Sequence, residues 1–298
     1  PTVNEEFFDC CFTQHVLAAV YGPMYFTSYY LKYCYTHYPM IKNIAVLEEE
    51  NLIQLQRQLA LQGDEKYAMT FIFDAAVIHK ICTSGCFPLG NSVEGAENIL
   101  IKLHKKRCVL QNISEDLHVS RAVKKKSKRY MITVNADYNR CVEEIRKYHS
   151  SCWLFPELRK CLAELYQGDE FPTKVYSFEL WNVSAQEKLP TTVEEVRNCP
   201  LVAGEIGYAC GASYTSLTGY HTENSSGSIQ LVGTGKLLAQ LGFEIWDFGM
   251  SMDYKLKLGA KQVPRQDFIP LFRRVSQQTP QPFTGEPILV SSLLTNKK

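Results

Sequence analysis

From residue 117 to residue 250 the chain switches repeatedly between two hydrophobic periods, and this alternation limits the folds open to it more than any other feature. Helical spacing covers about 117 to 127, 137 to 149, 156 to 167 and 228 to 241. YMITVN (130 to 135), VYSFELWNV (175 to 183), PLVAGEIGYACG (200 to 211) and FEIWDFGM (243 to 250) have strand character instead. Helices interleaved with strands, some joined as hairpins, require a mixed sheet flanked by helices, which is an α/β (α+β) class. The polar stretch 184 to 198 between two of the strands reads as a hairpin insertion.

Ahead of this region, residues 1 to 64 read as a mainly helical extension. Tyr21, Tyr25, Tyr29 and Tyr33 recur at helical spacing, and residues 45 to 62 place apolar side chains at i, i+3 and i+4. FIFDAAVIHKIC (71 to 82) reads as a strand running into a helix, and TSGCFPLGN closes that unit. The expected organisation is therefore an extension over 1–64, a small domain over 65–112 and the main domain over 113–298. With 45% hydrophobic and 21% charged residues the chain is globular, and no apolar run approaches the ~18 residues of a membrane span.

The start, PTVNEEFFDC, is acidic where an export signal is basic and then apolar. Eleven cysteines are scattered singly apart from Cys10 and Cys11, and Cys82 and Cys86 are one residue too far apart for a CxxC pair. Neither a disulfide framework nor a metal cluster is indicated, so a cytoplasmic, reducing location with no membrane association is expected.

Asp247 is the most demanding single residue. It lies between Trp246 and Phe248 in a strand, where an unpaired carboxylate costs several kcal/mol, on the order of that for any desolvated charge, so it must be paired or used. The sharpest charge feature is LHVSRAVKKKSKRYMITV. On a helix, Arg121, Lys124, Lys125 and Lys128 share one face, with Arg129 beside them. A solvated face explains such a run equally well, but KLHKKR (102 to 107) adds a second basic segment to a chain of net charge +1, and together they suit an RNA backbone.

Gln230, Gly233 and Gly235 spell Q-x-x-G-x-G at the expected start of a helix, a pattern that resembles the pyrophosphate loop of GNAT acetyltransferases. Close packing of a helix on a sheet explains the same glycines. Of seven histidines, only His221 in TGYHTEN lies near the strands expected to form a site, and no nucleophile elbow occurs.

Several blocks in the right order give the chain a resemblance to the leucyl/phenylalanyl-tRNA-protein transferases. GCFPL (85 to 89) is similar to the family's G-I-F-P-W, LHVSR (117 to 121) to L-H-[VI]-S-R, and SFELW (177 to 181) to S-[IV]-E-V-W. CWLFPELRKCLAELY (152 to 166) is similar to T-W-I and its following helix, and PLVAGEIGYACG to E-L-V-G-G-x-Y-G. In the block 242 to 268, Asp247, Leu258, Gly259, Ala260, Pro264, Arg265 and Asp267 agree with G-[FG]-x-L-I-D-C-Q-x-x-x-x-H-x-x-S-L-G-A-x-x-[IV]-P-R-R-D-[FY].

The resemblance implies a GNAT-like sheet and a reaction in which leucine, phenylalanine or methionine passes from its tRNA to an N-terminal Lys or Arg, marking the acceptor for degradation. It implies aminoacyl-tRNA as co-substrate with no other cofactor, acceptor proteins as partners, and a monomer. Asp247 falls on the family's aspartate, which acts on the glutamine two positions on. Residues 121 to 129 and Arg107 fall on its tRNA-facing segments. The departures are specific: that glutamine is Gly249 here, and about residues 216 to 221 the family's glutamate is missing. The resulting candidates are Asp247 and Glu205 for catalysis, Gly249, Tyr220, His221 and Trp153 for substrate binding, and Arg107, Arg121, Lys124, Lys125, Lys128 and Arg129 for tRNA. An acyl-CoA enzyme using Gln230, Gly233 and Gly235, and a non-catalytic tRNA binder, are the alternatives.

Overall fold

A computed structural model describes residues 44–46, 66–93, 96–149 and 152–295. Among the described residues four helices start at a side-chain cap, and those over Ala75–Thr83, Tyr138–Tyr148 and Pro156–Gln167 each bury one apolar face. Helix α1 (Ala75–Thr83) is capped by Asp74, whose carboxylate accepts from Ala76 N. Helix α2 (Ile113–Asp116) is a single turn, and α3 (Arg121–Lys126) is capped by Ser120. Asp137 caps α4 (Tyr138–Tyr148), which buries Tyr138, Cys141, Val142 and Ile145. Helix α5 (Pro156–Gln167) opens on a proline and buries Leu158, Cys161, Leu162 and Leu165. Thr192 and Glu195 form a capping box on α6 (Val193–Arg197), which gives the polar insertion a helix. Then follow α7 (Ser226–Gln240), α8 (Asp253–Lys257), α9 (Arg265–Val275) and α10 (Val290–Leu293).

The strands are β1 (Ile44–Val46), β2 (Lys66–Thr70), β3 (Phe87–Val93), β4 (Ala96–Leu103), β5 (Lys106–Gln111), β6 (Tyr130–Val134), β7 (Lys174–Asn182), β8 (Leu201–Cys210), β9 (Ser213–His221), β10 (Ile245–Asp247), β11 (Lys261–Pro264) and β12 (Ile288–Leu289). A small sheet has the order β1-β2-β4-β3, and a large mixed one the order β11-β5-β10-β9-β8-β7-β6-β12. Every neighbouring pair in the large sheet is antiparallel except β9 and β10. One face is covered by α4 and α5, whose Cys141, Ile145, Leu158 and Leu162 pack with Trp181, Ile206 and Tyr208. The other is covered by α7, whose Ile229, Val232 and Leu238 pack with Phe178, Tyr214 and Trp246.

Three expectations change. The boundary at 112/113 gives way because β5 is a strand of the large sheet, and Ile78, Ile99 and Ile101 of the small unit join the α4 side of the core. Of the helical extension over 1–64, only Ile44–Val46 is described, and it is a strand parallel to β2. The tyrosine series and the rest of 45–62 lie outside the described residues. The strand expected over 243–250 pairs only at Ile245–Asp247. Among the described residues no helix is long and apolar enough to cross a membrane.

That short strand positions the site. Asp247 is in register with Thr215, whereas β9 continues to His221 with no β10 beside it. Pairing between β9 and β10 therefore ends at Thr215, which leaves a cleft in the hydrogen-bonded sheet between the last half of β9 and the segment after Asp247. Strand directions put the ends of β7, β9 and β10 and the starts of β5, β6 and β8 at this one end of the sheet.

Candidate active site

Asp247 is completely buried, and each of its oxygens is occupied. Oδ2 accepts from Arg107 Nε at 2.9 Å and from Thr215 Oγ1 at 3.4 Å, while Oδ1 accepts from the Gly249 N–H at 2.8 Å. Arg107 is equally enclosed. It donates from Nη1 to His104 Nδ1 (2.7 Å) and from Nη2 to the Gly85 carbonyl (2.7 Å), with its guanidinium 4.8 Å from the Phe268 ring centroid. Burial, and next the Arg107 charge, push the His104 imidazole down to about 2, so this ring is neutral and its Nδ1 accepts. The expectation of Arg107 as a tRNA contact is corrected, because a side chain 2% exposed and spent on three internal partners reaches no phosphate.

The Gly249 position also differs from expectation. No vacancy remains for a missing amide: φ is +67°, and a Cβ there would stand 3.1 Å from the Phe87 ring. Only glycine takes that backbone at low cost, and in this conformation the residue's N–H donates to Asp247.

Glu205, in the middle of β8, is the carboxyl beneath the cleft. It accepts from Ser216 Oγ (3.1 Å), from Tyr214 Oη (3.4 Å) and from the Gln230 amide. Ser216 in turn accepts from Trp246 Nε1 at 2.8 Å. A register shift between Ile206 and Gly207 turns Ser216 toward Glu205, and Gly207 leaves room for the Tyr214 hydroxyl, which lies 2.4 Å from where a Cβ would be. No ion pair compensates Glu205 among the described residues, so burial raises its pKa to about 7. A carboxyl of that affinity exchanges a proton near neutral pH.

The far lip of the cleft is apolar. Met250, Met252, Tyr254 and Leu256 are all more than 40% exposed, and they account for most of the exposed large hydrophobic side chains among the described residues. Lys255 beneath them is buried.

The remaining candidates divide. Arg121, Lys124, Lys125, Lys128 and Arg129 are exposed, and none is ion-paired with a described residue. They precede β6, at the same end of the sheet as the cleft. Lys105 and Lys106 open β5 at that end too, five strand steps or about 24 Å away. His221 is exposed against Gly227, with Nε2 3.4 Å from the Tyr148 hydroxyl. Tyr220 is buried on the α4 face, its hydroxyl without a partner among the described residues. Trp153 also belongs to the α4 side, its carbonyl pressed against Gly90, and no described contact joins it to Glu205.

Gln230, Gly233 and Gly235 form no anion loop. They lie within α7, which starts at Ser226, and Cβ atoms on the two glycines would stand 2.9 Å from Ile132 and from Leu117 and Trp246. Close helix-to-sheet packing explains the pattern, and the acyl-CoA alternative loses the residues that suggested it.

Sequence reasoning missed Lys255, His104 and Glu179. Glu179 is fully buried on β7 and accepts from Thr133 Oγ1 (2.7 Å), Ser177 Oγ (2.5 Å) and the N–H groups of Ala136 and Asp137 (3.3 Å each). Alternation along β7 could have placed it inside beside Ser177, but only the fold brings Thr133 of β6 and the N–H groups of the turn after β6 to it.

A family model described as leucyl/phenylalanyl-tRNA protein transferase matches residues 110–273. The leucyl/phenylalanyl-tRNA–protein transferase of Azotobacter vinelandii strain DJ is 28% identical over 193 residues, 62% of this chain and 73% of that one. The enzyme of the same name from Pseudomonas syringae pv. tomato strain DC3000 is 25% identical over 189 residues, 62% and 72% of the two chains. Among solved structures, the C-terminal domain of a lysylphosphatidylglycerol synthetase from Agrobacterium fabrum, described as putative, aligns over 77% of this chain and 78% of its own. That alignment has 11% identity and a TM-score of 0.37, too low to carry an argument.

Proposed function

The chain belongs to the leucyl/phenylalanyl-tRNA–protein transferase family, and from that premise we propose that it transfers leucine, phenylalanine or methionine from aminoacyl-tRNA to the N-terminal Lys or Arg of acceptor proteins, creating a degradation signal. The observation that carries this reading is the coincidence, at one end of the sheet, of a split between β9 and β10, a carboxyl of pKa about 7 beneath it, and an exposed basic helix that leads into β6, three strands along from β9. The basic residues suit the phosphates of an RNA acceptor end. The apolar lip suits an aliphatic or aromatic aminoacyl side chain.

In the reaction the α-amine attacks the ester carbonyl, an N–C bond forms, and the C–O bond to the terminal ribose breaks. Glu205 is the group suited to take a proton from the attacking nitrogen and return it to the departing ribose oxygen. Asp247 acts differently from the expectation: enclosed by Arg107, Thr215 and Gly249, it holds the turn after β10 in place. The test is transfer of labelled amino acid from a panel of charged tRNAs to peptides beginning with Lys or Arg. Leucyl, phenylalanyl or methionyl transfer is expected, and silence across the whole panel rejects the reading.

A further inference from the structure

Lys255 on α8 is 9% exposed and donates from Nζ to two backbone carbonyls, those of Phe248 and Met250, each at 2.8 Å. The two carbonyls flank Gly249, so the ammonium gathers the turn that closes one side of the cleft. An ammonium carries three hydrogens. Two are spent there, and the third has no hydrogen-bond acceptor among the described residues. The ionisable groups that act on it come from the elements packed around it: Cys108 of β5, Asp247 of β10 and Glu205 of β8, with His104 beyond Arg107 and the Tyr254 ring centroid 5.7 Å away on its own helix. None of them forms an ion pair with it. Lys255 falls on an unspecified position of the family pattern, and the turn it clasps holds Gly249, where that pattern has a glutamine.

We propose that Lys255 is the oxyanion-stabilising group of this transferase, its unspent N–H meeting the carbonyl oxygen of the aminoacyl ester. The assignment rests on the aminoacyl-transfer reading. When the amine nitrogen bonds to the carbonyl carbon, the π electrons move onto the oxygen, and a fixed cation in a water-poor site stabilises that charge. The same electrons re-form the carbonyl as the ribose oxygen leaves, so Lys255 neither gains nor loses a proton in the cycle. Burial lowers its pKa from the usual lysine range, and protonation of Lys255 therefore limits activity on the alkaline side.

The test compares wild type, Lys255→Met and Lys255→Arg in single-turnover transfer from leucyl-tRNA to a lysine-initiated peptide. In parallel, calorimetry measures binding of a neutral leucyl-amide of adenosine and of its tetrahedral phosphonate analogue. Lys255→Met should slow transfer by about 10²- to 10³-fold and weaken the phosphonate at least about tenfold more than the neutral amide. Lys255→Arg should move the alkaline limb to higher pH, because a guanidinium does not titrate there. Equal weakening of both ligands by Lys255→Met reduces the lysine to a structural clamp and overturns the proposal, as does an alkaline limb unmoved in Lys255→Arg. Absence of transfer by wild type rejects the reaction itself, while the binding comparison still judges Lys255 by its charge selectivity.

Discussion

Glu179 and Glu205 sit on neighbouring strands in almost the same row of the sheet, Glu179 opposite Gly204 and Glu205 opposite Phe178, and therefore face opposite sides. Burial pushes both up to about 7. Their partners differ. Glu179 takes two hydroxyls and two backbone N–H groups of the turn between β6 and α4, which is a fixed framework. Glu205 takes two hydroxyls and a side-chain amide where its neighbour strand loses a partner. Equal titration behaviour thus accompanies a structural clasp on one face and a candidate proton carrier on the other. What separates them is the break in the sheet.

The largest effect that can break this comparison is on the reaction. Glu205→Gln should lower transfer by about 10²- to 10⁴-fold, whereas Glu179→Gln should leave the rate of the folded protein within about threefold, the small change usual for a remote group. Equal losses in steady-state assays would dissolve the distinction. Because Glu205 accepts a proton only when ionised, wild-type transfer should rise as pH passes about 7, and that limb should vanish in Glu205→Gln.

Next in size is Asp247→Asn. It leaves the Arg107 charge buried without its partner, and unfolding in denaturant should show a loss of about 3–5 kcal/mol. A change under about 1 kcal/mol, the scale of an exposed pair, would mean that Asp247 is no structural partner and restore it as a reacting group.

Smaller still is the stability profile that the two glutamates share. Both folded pKa values lie above the unfolded one near 4.5, so the folded state binds the extra protons between these limits. Their contribution is greatest below pH 4.5 and is lost as pH rises through about 7, by at most roughly 3 kcal/mol for each group. Either glutamine variant should flatten the wild-type slope between pH 4.5 and 7; an unchanged slope in both contradicts the assigned shifts.

The smallest effect concerns the basic helix. Replacing Lys124, Lys125 and Lys128 with serine should lower the salt slope of tRNA binding by roughly 1 for each lysine, with Glu205 chemistry intact once tRNA is saturating. An unchanged slope in filter binding would return these residues to the role of a solvated face.

Much of this was legible in advance because periodicity and caps are local. Pro156 and the spacing of Leu158, Leu162 and Leu165 mark α5 as it stands in the fold. The exposure of Lys124 and Lys125 on α3 also follows from helical spacing, whereas Lys128 and Arg129 are exposed on the 3-10 turn Ser127–Arg129 that ends that helix. Arg107 went astray because a cation in a basic run looks solvent-facing until β5 is known to pair with β10 and carry it under Asp247. Gly233 and Gly235 misled in the same way: glycine leaves no side chain to tell a ligand cradle from close packing, and only Ile132, Leu117 and Trp246 settle which it is.

By itself, the sequence determined the class of fold, the blocks shared with the transferase family and the demand that Asp247 have a partner. These depend on the order of neighbouring residues and on the cost of burying a charge, both independent of where distant segments lie. Only the tertiary structure decided which partner answers that demand, why position 249 is glycine, and which carboxyl adjoins the cleft. Arg107 is 140 residues from Asp247. Phe87 reaches Gly249 from the small sheet, and Glu205 lies beside the opening because β10 stops after three residues. Strand register and the closure of long loops set those juxtapositions.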